Sequence, residues 1–227
     1  MANRTAADAL IGLGHDLGPE VHGLEEWDAL PDDHRDLLRR ANGFTLYHGA
    51  FRLFGLREGP LSLADWNEER TWRFAWGERT RGYLFIGETA FGDQYAYRQL
   101  PSGELAGPEI YFLQATLLTP SLMADSFSAF VAEELLRNAQ KPYDHFIGDM
   151  IARHGQVGAE TNWAYAPSIA LGGPEILDNV VPLPARTAMT YQGDIVTALY
   201  ADPLDRVPRA VSQWTDELGR PRLRLEY

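Results

Sequence analysis

The chain has no cysteine among its 227 residues and a single lysine, Lys141. The first absence excludes disulfide frameworks, thiolate zinc sites and cysteine nucleophiles, so only His, Asp or Glu could hold a metal. It also suits a compartment where thiols stay reduced, and the expected location is cytoplasmic. The second leaves arginine as almost all of the positive charge. With Lys+Arg at 20 against Asp+Glu at 32, the net charge is −12. Such a chain repels phosphate, and its arginines are scattered, so direct nucleic-acid binding is not expected. No apolar run approaches the roughly 18–20 residues of a membrane span. The opening "MANRTAADALIGLGHDLG" has an apolar patch broken by Gly12, Gly14 and His15, and it reads as the start of a helix rather than a secretory signal. The G-x-S-x-G elbow, the G-x-x-x-x-G-K-[ST] phosphate loop and the dinucleotide G-x-G-x-x-G fingerprint are all missing. No cofactor is expected.

What is present is a core-forming composition, 45 % hydrophobic and 11 % aromatic, which excludes a disordered tail. "LPDDHRDLLRRANGF" predicts a helix. Pro31 sits in its first turn, Asp32 and Asp33 complement the N-terminus, Leu37, Leu38 and Ala41 form an apolar stripe, and Asn42-Gly43 stops it. "FRLFGL" predicts a strand. Trp66, Trp72 and Trp76 lie in a partly helical segment and are expected as core anchors or interface hot spots rather than parts of a cofactor site. Strands are predicted at Tyr83–Ile86, Gln94–Gln99 and "EIYFLQAT", then a helix capped by Asp125 or Ser126 that buries Phe127, Phe130, Val131, Leu135 and Leu136. After Lys141-Pro142 come a helix in "YDHFIGDMIARHG", loops marked by Pro167 and the Gly172-Gly173 turn, and a strand with a turn at Gly193. A short helix capped by Asp194 and a closing hairpin around Leu218–Pro221 follow.

Three candidate sites stand out. Glu88 and Asp93, in "FIGETAFGDQYAYR", are two carboxylates among aromatics. A carboxylate-dependent hydrolase would need them to converge on one substrate bond. The simpler expectation is a turn, with Gly92 taking positive φ and Asp93 bonding backbone amides. His145 and Asp149 stand four apart on a helix, a spacing that could serve a metal, but no third ligand has a sensible spacing. "EVHGLEEWDALPDDHRD", Glu20 to Asp36, holds seven carboxylates against one arginine. That stretch is either a solvated helical face or a docking surface for a basic protein.

Leu30-Pro31, the helix through Arg40, Asn42-Gly43 and Phe54-Gly55 resemble the opening signature of the SUKH superfamily. "YLFIGETAFGDQYAYR" and "DSFSAFVAEELL" are similar to its later strands and closing helix, so the resemblance covers roughly residues 20–137. Thr89–Asp93 and Pro167–Gly173 resemble two signatures of the GAD-like immunity proteins of type VI secretion systems. The resemblance implies an α+β fold: a SUKH-like mixed sheet of about four to six mostly antiparallel strands packed against helices. Residues 1–140 would form that domain and residues 141–227 a C-terminal α/β extension packed on it. It also implies a bacterial immunity protein, not an enzyme, that binds a cognate toxin or effector, a basic nuclease by charge complementarity. The expected contact surface is Glu25, Glu26, Asp28, Asp32, Asp33 and Asp36, with Glu88 and Asp93. The alternatives are the Glu88–Asp93 hydrolase and a non-catalytic regulatory scaffold, since eukaryotic SUKH relatives act in signalling.

Overall fold

The computed structural model describes residues 6–12, 27–57, 59, 61–138, 144–202 and 206–227. Six antiparallel strands make the central sheet: β1 (Phe44–Leu46), β2 (Phe51–Leu53), β3 (Tyr83–Thr89), β4 (Gln94–Gln99), β5 (Leu105–Gln114) and β6 (Thr119–Ala124). They lie in sequence order, so the sheet is a meander. Around it run α1 (Ala6–Ile11), α2 (Asp32–Arg40), α3 (Leu63–Asn67) and α4 (Phe127–Phe130), which continues as a wider π-type helix over Val131–Asn138. The C-terminal part adds α5 (Asp144–His154), the antiparallel pair β7 (Thr161–Tyr165) and β8 (Val180–Pro184), α6 (Ala185–Ala201) and the hairpin β9 (Ala210–Thr215)–β10 (Pro221–Glu226). The fold is α+β, as the sequence implies.

Local chemistry explains most of these elements. In α2, Asp32 and Asp33 occupy the first turn and Arg39 and Arg40 the last, matching the helix dipole, while Leu37 and Leu38 are fully buried. Asp33 Oδ2 also accepts from the Ser128 amide (2.8 Å) and hydroxyl (2.7 Å), fastening α2 to α4. Ser126 is the cap of α4, its Oγ accepting from the Ala129 amide. The two halves of the N-terminal signature meet. Asn42 exchanges side-chain hydrogen bonds with the Leu56 backbone, and a Cβ on Gly43 would lie 2.6 Å from the Gly55 nitrogen. Trp66, Trp72 and Trp76 are core residues, no more than 1 % exposed, and Trp66 and Trp72 link Phe54 to Phe85 through a chain of tilted ring contacts.

The structure corrects three expectations. The turn at Gly193 and the cap at Asp194 do not form, because α6 runs unbroken through both. Gly193 is there for close approach: a Cβ would sit 2.7 Å from Trp76 Cδ1 and 2.9 Å from Ala75 Cβ. Asp194 instead accepts from the Arg222 guanidinium (Nε at 2.9 Å) and the Leu223 amide (2.8 Å), holding β10 against the helix. Strand β6 is not among the strands that the sequence predicts; its Pro120 suits the edge position that it occupies. Strand β1 was not anticipated. The Lys141-Pro142 boundary lies outside the described residues. In a helix interior Gly→Ala ordinarily stabilises by about 1 kcal/mol. At Gly193 the sign is expected to reverse, with Gly193→Ala destabilising by about 1–3 kcal/mol in urea unfolding because the methyl overpacks against Trp76.

Candidate functional site

The hairpin tip between β3 and β4 is the strand–turn–strand expected. The Thr89 amide donates to the Asp93 carbonyl (2.9 Å) and the Gly92 amide to the Thr89 carbonyl (2.9 Å), with Gly92 at φ +83°. Asp93 Oδ2 accepts from the Thr89 hydroxyl (2.8 Å) and Oδ1 from the Ala115 amide (2.8 Å). Burial pushes its carboxyl above the usual range, against the pull of those two donors. The tip is not a free surface. Gly92 is buried, and a Cβ there would meet Met189 Sδ at 2.9 Å and Asn162 Nδ2 at 3.3 Å.

Glu88 points away from Asp93's partners, into a buried polar knot. Its Oε1 faces Arg52 Nε at 3.5 Å, and its Oε2 accepts from Gln94 Nε2 (3.2 Å) and Asn162 Nδ2 (3.1 Å). The Arg52 guanidinium donates onward to the carbonyls of Ala159 and Thr161 and to Asn162 Oδ1. Trp66 Nε1 donates to Gln94 Oε1 (2.8 Å). Arg52, Glu88, Gln94 and Asn162 are all at most 2 % exposed. Burial pushes the Glu88 carboxyl up, with Arg52 the main counterweight. Glu88 therefore cannot be the surface contact expected of it. The hydrolase reading fails on the same geometry, because the two carboxylates do not converge on one cavity. The knot itself is invisible to local sequence reading. It joins β2, β3 and β4 to β7 through residues that look like ordinary strand polar positions.

A cavity of about 970 Å³ lies where the tip meets the C-terminal elements, walled by Phe91, Asp93, Trp163, Tyr165, Leu171 and Met189 among others. Its walls come from the tip, the end of β5, α5, β7 with the loop that follows it, α6 and the β9–β10 hairpin. Phe91 stacks on Tyr165 (5.4 Å, 19°) and packs against Phe146 and Trp163. The two segments carrying the GAD-like resemblance both contribute to this cavity, Phe91 and Asp93 from one and Pro167, Ser168, Ile169 and Leu171 from the other. In the second, Gly172 takes φ +82°, and Gly173 is so close to Pro167 that a Cβ would sit 2.0 Å from its carbonyl oxygen. The carboxylate of Glu175, also in the lining, stands out as a residue that sequence reading did not single out.

The acidic surface is only partly resolved into free charge. Glu25 and Glu26 lie outside the described residues. Asp28, Asp32 and Asp36 are exposed, with side chains 75 %, 89 % and 67 % accessible, but Arg35 pairs with Asp28 and Asp32, and Arg39 with Asp36. Asp33 is engaged with Ser128. Of the His145 and Asp149 pair weighed for a metal, the His145 side chain lies outside the described residues and Asp149 is exposed. Among the described residues there is no group of three or more His, Asp or Glu able to hold a metal, and no helix long and apolar enough to cross a membrane.

The crystal structure of Atu4351 from Agrobacterium tumefaciens has a similar fold over 96 % of this chain and 99 % of that one, with a TM-score of 0.53 and 14 % identity. That likeness concerns the fold alone, but it extends through nearly all of the C-terminal part. No curated protein matches the chain. Residues 25–133, from the acidic stretch through the sheet and into the π-type helix, match the SMI1 / KNR4 family (SUKH-1), which places this segment of the chain in the SUKH superfamily.

Proposed function

We propose that the chain is an immunity protein that binds a cognate bacterial toxin and blocks it without turnover. The SUKH superfamily is known for toxin immunity, and its members are generally non-catalytic. The single observation that carries the reading is the family match over residues 25–133, and the net charge of −12 gives it a direction. A basic nuclease presents a cationic substrate surface, and an acidic protein can occupy that surface in place of phosphates while raising the association rate. The GAD-like resemblance makes a type VI secretion effector the proposed source of the toxin, met in the cytoplasm. The exposed carboxylates of Asp28, Asp32 and Asp36, with Glu25 and Glu26 just before them in the sequence, form the proposed contact face, and Glu88 is excluded from it by burial.

The test is co-expression with the toxin encoded next to this gene, with growth rescue and pull-down as readouts. Rescue with co-purification supports the reading; neither with any neighbouring toxin removes it. The triple variant Asp28→Lys, Asp32→Lys, Asp36→Lys is expected to weaken toxin binding by about tenfold or more, mainly in association rate and most at low salt. Because Arg35 and Arg39 already offset part of this face, an unchanged rate with a normal melting temperature would move the interface elsewhere.

A further inference from the structure

We propose that the cavity beneath the β3–β4 tip is a binding site for a small organic cation, an amine or guanidinium carried on an aromatic or aliphatic body. Its volume of about 970 Å³ lies at the upper end of the range, about 300–1,000 Å³, that encloses a drug-sized ligand. The wall is mostly apolar. Phe91 and Tyr165 present a stacked pair of rings, and aromatic faces attract cations as well as burying apolar bodies.

The charge of the lining is of one sign. Asp93 and Glu175 are its ionisable acids, and among the described residues it contains no arginine, lysine or histidine. Asp93 accepts from Thr89 and Ala115 but keeps further lone pairs, since a carboxylate offers about four acceptor positions. Glu175 is exposed, which puts it at the mouth. The Tyr165 hydroxyl lies within the field of both, and burial, these two charges and a hydrogen bond to Glu175 together hold it protonated up to about 12. The remaining polar groups largely satisfy one another. Ser168 Oγ bonds Gln192 Oε1 (2.8 Å), Gln192 Nε2 donates to the Thr116 carbonyl (3.1 Å), and the Tyr191 hydroxyl accepts from Gln213. An anion entering this space would meet two carboxylates and no positive partner. A neutral body would gain burial only. A cation gains both burial and charge pairing.

This site is independent of toxin binding, which rests on the family match and the acidic α2 face, so either can fail without the other. The experiment is calorimetric titration of the full chain with three probes sharing one body: phenylbutylamine, phenylbutanol and phenylbutyrate. The amine is expected to bind about tenfold or more tighter than the alcohol, as a charge-assisted hydrogen bond allows, and the carboxylate is expected not to bind. Asp93→Asn should remove most of the amine's advantage over the alcohol. Because Asp93 also holds the turn, Glu175→Gln at the exposed mouth is the second variant, and it should lower amine affinity with an unchanged melting temperature. Ala188→Phe, which fills the cavity, should abolish binding of every probe. Equal affinity for amine and alcohol, binding of the carboxylate, or no binding of any probe at millimolar concentration overturns the proposal.

Discussion

Replacing Arg52 with methionine is expected to destabilise the chain by about 3–5 kcal/mol, the cost of leaving a buried charge without its partner. Glu88 is fully buried and Arg52 is the main influence opposing its upward pKa shift. The guanidinium also bonds the carbonyls of Ala159 and Thr161, so its loss strands acceptors as well as a charge. Urea unfolding at neutral pH measures the loss. The double variant Arg52→Met, Glu88→Leu should recover much of it, because a well-packed apolar pair can match a buried ion pair. Acid should help the single variant. A carboxyl with a raised folded-state pKa costs stability as pH rises above its unfolded value, so the Arg52→Met defect shrinks as pH falls from 7 toward 5. A loss below about 1 kcal/mol that does not change with pH would mean that Glu88 is already neutral in the folded protein.

The second large effect is acid sensitivity centred on His34. This ring is fully buried, stacked on Phe127 (3.9 Å, 12°), with Nδ1 bonded to the Tyr97 hydroxyl (3.2 Å) and Nε2 unpartnered. Burial lowers its pKa from 6.5 to about 3. Above pH 6.5 the folded and unfolded states are both neutral here, and nothing is lost. Between pH 6.5 and about 3 the unfolded chain takes up a proton that the folded chain refuses, so stability falls as pH falls. The slope is about 1.4 kcal/mol per pH unit, or roughly 3 kcal/mol between pH 6.5 and 4.5. Glu88 and Asp93, with raised pKa values, act in the opposite sense, so the intact protein alone will not isolate the effect. Comparison with His34→Leu will. The stability difference between the two proteins should shift by that amount between pH 7 and 4.5. A constant difference would show that His34 protonates in place.

How much of this was legible follows from where the signals live. Helix α2 declared itself through Asp32, Asp33, Arg39 and Arg40 at its ends and Leu37-Leu38 on its face. The β3–β4 hairpin declared itself through alternating aromatics around Gly92-Asp93. These are local codes. Helix α6 was hidden because Gly193 and Asp194 read as breakers, and their reasons lie far off in the chain: the Trp76 ring and the Arg222 guanidinium. Glu88 was misplaced for a similar cause. A carboxylate in a strand looks like a solvent-facing position until Arg52, Gln94 and Asn162 are brought around it. The cavity was equally hidden, because the segments that wall it, around Phe91 and around Tyr165, are far apart in sequence and nothing local links them.

The meander has a consequence for synthesis. Its strands pair with their immediate neighbours in the chain, so the sheet can assemble in the order in which it leaves the ribosome. The Arg52–Glu88 pair cannot finish on that schedule, because Ala159, Thr161 and Asn162 come later. At about 5–20 residues per second the gap from Glu88 to Asn162 is about 4–15 s. During that interval a nearly complete sheet holds an ion pair that the C-terminal elements have yet to seal. The groups that cover the hairpin tip, Phe146 and Trp163 on Phe91 and Asn162 and Met189 on Gly92, all come later in the chain, so the tip is the last part of the sheet to gain its cover.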